Sequence, residues 1–118
     1  MKTQLETLSS LVEQFCDERD WAQFHTNKDL AMGLSIEASE LLQIFLWKNK
    51  DEIKALFEST SKREHIEDEL ADIFYFLLRI AQLNEIDLQK ALENKILKNG
   101  IKYPVEKSKG SAKKYNEL

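Results

Sequence analysis

Four carboxylates stand where the surrounding sequence is least suited to hold them. Between Leu30 and Trp47 the only charged residues are Glu37 and Glu40, three positions apart. At 100° per residue the two fall within about 60° of each other on a helix. Their neighbours on that wheel are Leu41, Ile44 and Trp47, and most of the remaining circumference is apolar as well. Glu69 and Asp72 repeat the spacing on a second segment, beside Phe76, Ile80 and Leu83, with Leu70, Ile73, Phe74, Leu77 and Ala81 covering the other side. An isolated pair of acids at this spacing is ordinarily a solvated stripe. Two such pairs inside apolar helices are a different matter, because burying one unpaired carboxylate costs several kcal/mol and gathering four adds mutual repulsion. Only Arg79 and Lys48 stand near enough in sequence to offset that charge. Hard divalent cations with oxygen ligands are the economical remedy, and Mg2+ suits carboxylates, water and phosphate oxygens. A di-iron bundle would want E-x-x-H on paired helices. Neither helix has it; His65, one turn before Glu69, could at most support a ligand.

The elements that must carry these acids are helices throughout. The chain has 118 residues with only three Gly and one Pro, and 32% of them are charged; such a composition favours long helices with charged outer faces. Thr3-Gln-Leu-Glu6 reads as a capping box. It opens a first helix whose Leu5, Leu8, Leu11, Val12 and Phe15 recur at helical spacing, ending near Asp17 or Arg19. Asp20 to Asn27 breaks the period and reads as a loop carrying Trp21, Phe24 and His25. A second helix is expected from Lys28 to Trp47 and a shorter one from Asp51 to Phe57. Ser61-Lys-Arg-Glu64 repeats the capping signature and predicts a long helix through Leu83. After a turn at Asn84 to Asp87, the last helix is predicted to run to Asn99, with Gly100 as a left-handed cap. The expectation is an all-α bundle of four to five helices, with residues 1–104 forming the domain and a Lys-rich flexible tail over 105–118.

Composition narrows the partners. A net charge of −4 leaves no general basic face for a nucleic-acid polymer. The least polar stretch is interrupted by Glu37 and Glu40, so no membrane span is expected. One cysteine, Cys16, precludes an internal disulfide. With no signal pattern at the start, the expected compartment is the cytoplasm. Two helices apolar around most of their circumference are hard to cover with a few short helices. Burial against further copies of the chain is the natural completion.

Three segments together resemble a known family: FCDERDWAQFHTNKDLAMGLSIEASELLQIFLW from Phe15 to Trp47, EDELADIFYFLLRIA, and KILKNGIKYP up to Pro104. They are similar to the MazG-related all-α NTP pyrophosphohydrolases, most of all the dCTP pyrophosphatase branch. The resemblance implies that Glu37, Glu40, Glu69 and Asp72 hold magnesium. It implies hydrolysis of a nucleoside triphosphate, dCTP among the expected dNTPs, between the α- and β-phosphates. It also implies that Trp21, His25, Trp47 and Phe76 line the nucleotide pocket, that Lys95 and Asn99 lie near the triphosphate and base, and that the protein is a homodimer or homotetramer. Clearing unwanted nucleotides is the role such enzymes suggest. Gln43 stands where members often have a further acid, Ser39 where Gly is common, and Phe76 where close relatives carry Tyr; these departures bear on substrate preference. The rival reading is a non-catalytic helical interaction module whose acids bind a structural cation or a basic partner.

Overall fold

The computed structural model describes every residue from 1 to 118. It contains α-helices and single 3-10 turns and no strand: α1 (Gln4–Glu18), α2 (Asn27–Phe45), α3 (Lys50–Glu58), α4 (Thr60–Leu83), α5 (Leu88–Lys102) and α6 (Val105–Ser108). The all-α expectation holds. No single helix is long and apolar enough to cross a membrane.

Contacts divide the chain into two compact bodies, Met1–Asn84 and Glu85–Leu118. In the first, α4 is the central helix, with α1, α2 and α3 all packed on it. The core draws on each of them: Cys16 from α1, Leu30 from α2, Leu56 from α3, and Ile66, Leu78 and Ala81 from α4. Helices α2 and α4 run antiparallel, because Asn27 pairs its amide with that of Asn84 while Gly33 meets Phe76 further along. A Cβ on Gly33 would lie 2.5 Å from Phe76 Cζ. Only glycine lets the two backbones approach around that ring.

Local capping explains most helix starts. Thr3 and Glu6 form the expected box on α1. Asn49 and Glu52 form a second box on α3, Thr26 accepts from the Asp29 N–H at the start of α2, and Asp87 accepts from the Lys90 N–H at the start of α5. Three expectations are corrected. Helix α4 begins at Thr60 after Ser59. Ser61 therefore lies inside the first turn; the single extended residue Ser59 separates α3 from α4, and no side chain caps the start of α4. Gly100 lies within α5, which runs on to Lys102; its permissive backbone is not used there, because the Tyr103 N–H closes the helix on the Asn99 carbonyl. Finally, α2 stops at Phe45, two residues short of Trp47.

That last end is a type II turn. Leu46 has φ −61° and ψ 137°, Trp47 has φ 65°, and the Lys48 N–H donates to the Phe45 carbonyl at 3.2 Å. It redirects the chain so that α2 and α3 meet at 108°.

The apolar faces are only partly covered within one chain. Met32, Ile36 and Leu42 on α2 and Leu70, Phe74 and Leu77 on α4 all remain exposed. In the second body, α5 exposes Leu92, Ile96, Leu97 and Ile101. Past Pro104 the chain forms α6 and a 3-10 turn at Tyr115–Glu117, where Tyr115 meets Tyr103 edge-on and Lys102 lies over its ring.

Candidate active site

The register of α2 against α4 brings the two acid-bearing turns together. Glu37 and Glu40 from α2 and Glu69 from α4 offer carboxylate oxygens that all lie within 4.8 Å of one another. Glu69 is 8% exposed. One oxygen of Glu37 and one of Glu69 are buried with no hydrogen-bond donor. The ion pairs of the chain, Arg19–Glu18 and Arg63–Glu67, involve none of these residues. Asp72 does not join the three. It is exposed on the next turn of α4, and an aspartate side chain is one methylene shorter than a glutamate.

Electrostatics bears out the strain of this arrangement. The Glu37 carboxyl is pushed from an ordinary 4.5 up to about 7. The largest cause is the Glu69 carboxyl within hydrogen-bonding reach, which favours a shared proton; burial comes next, followed by Glu40 as a further proton partner and the like charges of both. Three oxygen donors without a cation or an N–H to answer them fit a hard divalent ion in donor type and charge. A fourth carboxylate, Asp72, stands one turn further along α4, outside this group.

Beside the acids opens a cleft of about 340 Å3, lined by Glu40, Gln43, Ile44, His65 and Glu69. Gln43 and His65, one turn from Glu40 and Glu69 on their respective helices, both line this cleft.

The other expected site residues fall in several places. Phe76 lies on the same stripe of α4 as Glu69 and Asp72, half-buried, with its ring against Gly33. His25 precedes α2, half-buried, and Arg79 Nε donates to its Nδ1 at 3.0 Å. Burial first, and the Arg79 charge second, hold the His25 imidazole below its ordinary 6.5. Trp21 sits 6.2 Å from His25, ring edge to face, and 5.5 Å from Phe15. Trp47 is exposed on its turn. Lys95 and Asn99 lie one turn apart on α5 in the second body, the first exposed and the second half-buried.

Comparison with known proteins agrees with this architecture. The MazG-like family profile matches residues 33–118. The chain is 38% identical over 97% of its length to dCTP pyrophosphatase 1 of Bos taurus, covering 68% of that protein. It is 34% identical to dCTP pyrophosphatase 1 of Homo sapiens, again over 97% of this chain and 67% of the relative. A crystal structure of a pyrophosphatase from Archaeoglobus fulgidus superposes with a TM-score of 0.81 at 36% identity, covering 88% of this chain and 95% of that one. On matched length, identity and shared helical architecture, this chain belongs to the MazG-like family.

Proposed function

We propose that this enzyme, a nucleoside triphosphate pyrophosphohydrolase, is magnesium-dependent and acts on dNTPs such as dCTP, releasing the monophosphate and pyrophosphate. The observation that carries the reading is the group of three acids between α2 and α4, whose buried oxygens have no donor. The curated relatives named dCTP pyrophosphatase 1 support the substrate class.

In this reading Glu37, Glu40, Glu69 and Asp72 hold the metal. Bound there, Mg2+ would supply positive charge against the acids and the substrate's phosphates and would make an attacking water more acidic. The chain's own groups do the rest. A water oxygen bonds to the α-phosphorus as the bond to the pyrophosphate oxygen breaks. Glu40, which lines the cleft, accepts the water's proton. His25, Trp21, Trp47 and Phe76 hold the nucleoside, and Lys95 and Asn99 serve the triphosphate and base. The exposed apolar rows on α2, α4 and α5 support assembly into a homodimer or homotetramer, and the single cysteine suits the cytoplasm.

The test is incubation with a panel of dNTPs and NTPs, with magnesium and then with chelator. Monophosphate and pyrophosphate in equal amounts, lost on chelation, are expected. Release of orthophosphate, or turnover indifferent to chelator, would overturn the proposal.

A further inference from the structure

Arg79 is the most deeply buried charge in the chain, at 2% exposure, and no carboxylate lies within ion-pairing distance of it. Its partners are neutral. Besides His25, its guanidinium donates from Nη1 to Gln82 Oε1 at 2.7 Å. The Gln82 amide donates in turn to the Ser9 carbonyl at 2.9 Å and to Ser9 Oγ at 2.8 Å. A relay of Ser9, Gln82, Arg79 and His25 thus ties α1 and α4 to the loop ahead of α2. Filling this volume alone would not call for a cation, since methionine or leucine would avoid the desolvation penalty.

What a guanidinium brings is that it can only donate. Its bond to Nδ1 requires that nitrogen to keep its lone pair, so the imidazole proton must sit on Nε2 while the bond persists. No side chain or carbonyl of the chain accepts from Nε2. The ring is held edge-on to Trp21, which is itself partly exposed. Along α4, Arg79 lies ten residues beyond Glu69, about 15 Å at the helical rise. A ligand whose phosphates meet the acids would present its nucleoside, not its phosphates, at this end.

We propose that Arg79 is a positioning residue which fixes His25 as the neutral Nε2–H tautomer, so that His25 donates a hydrogen bond to an uncharged acceptor on the nucleoside portion of the substrate. The proposal rests on the reading that the acid group receives the triphosphate. The lowered pKa of His25 agrees with a ring kept neutral.

Two measurements test it. Long-range proton–nitrogen NMR on the free, nitrogen-15-labelled protein reads the tautomer directly, and with only two histidines His65 serves as the internal comparison. At neutral pH, His25 is expected to be unprotonated at Nδ1 and protonated at Nε2. A protonated Nδ1 on His25 overturns the proposal. The second measurement is a double-mutant cycle in kcat/KM with the best substrate of the panel. Arg79→Met and His25→Phe are each expected to lose about tenfold, the scale of one hydrogen bond. The double variant should lose no more than His25→Phe alone, because Arg79 acts through that ring. Losses that multiply to about a hundredfold, or a fully active His25→Phe, refute it. Should Arg79→Met fail to fold, Arg79→Lys takes its place in the cycle, keeping the charge without the planar Nε–H. Absence of turnover with every nucleotide would defeat the proposed function, and the NMR result would still decide the state of His25.

Discussion

Replacing Gly33 by alanine sets two effects of known size against each other. The added Cβ would lie 2.5 Å from Phe76 Cζ, 2.6 Å from Cε1 and 3.1 Å from Cε2, whereas carbon atoms pack comfortably at about 3.5–4.0 Å. Two of these contacts are therefore about 1 Å too short, and either the ring turns aside or α2 and α4 move apart. Overpacking of this kind costs about 1–3 kcal/mol. Alanine in mid-helix is worth about 1 kcal/mol over glycine, so the net loss in the native background is smaller than the clash itself. The clean quantity is the coupling. In a Phe76→Leu background all three clashing atoms are gone, so Gly33→Ala should become stabilising by up to about 1 kcal/mol. The two backgrounds should differ by about 1–3 kcal/mol. Urea unfolding at one fixed protomer concentration measures this, since assembly would otherwise shift the midpoint. If Gly33→Ala stabilises both backgrounds equally, the close approach of the helices at this ring is refuted.

Other consequences can be checked in parallel. Because Glu37 binds its proton more tightly when folded, its contribution is complete below about pH 4.5 and disappears as the pH rises through about 7. The metal-free protein should lose thermal stability over that window relative to Glu37→Gln; parallel Tm curves would contradict it. Magnesium should raise the Tm of the native chain, by about 2.7 kcal/mol of stability at a hundred times Kd, and Glu69→Gln should largely abolish the shift. An equal shift in that variant would remove Glu69 from the ligand set. Asp87→Ala should cost about 1 kcal/mol in chemical unfolding through loss of the α5 cap, while Ser61→Ala should change stability by less than about 0.5 kcal/mol. Light scattering at micromolar protomer should give a dimeric or tetrameric mass; a monomer would leave the exposed apolar rows of α2 and α4 unexplained.

The helices and their acids were legible because both depend on local spacing. The apolar repeat of α1, its Thr3–Glu6 box and the isolation of Glu37 and Glu40 among apolar residues need nothing beyond nearest neighbours. The Asn49–Glu52 box on α3 is equally readable as an N-x-x-E pattern. At the start of α4 the spacing of Ser61 to Glu64 mimics a cap, whereas the real boundary is set by how α3 hands over to α4 at Ser59. The exposure of Asp72 depends on side-chain reach across two helices, which a helical wheel does not contain. The Arg79–His25 bond spans 54 positions and leaves no periodic trace. A charged residue in the middle of an apolar run was its one visible sign.

The turn at Trp47 separates what the backbone favours from what the side chain is kept for. The third position of a type II turn ordinarily falls to glycine or asparagine, because an L side chain at positive φ is locally disfavoured by about 1–2 kcal/mol. Here the largest of all side chains occupies it, and the indole is 93% exposed, so it recovers little of that cost through packing within its own chain. A glycine at this corner would ease the bend and leave the fold intact or firmer, yet remove an exposed aromatic surface. Under the proposed role of this indole at the nucleoside, foldability and recognition pull in opposite directions, and a search for hardier variants would tend to erase it first.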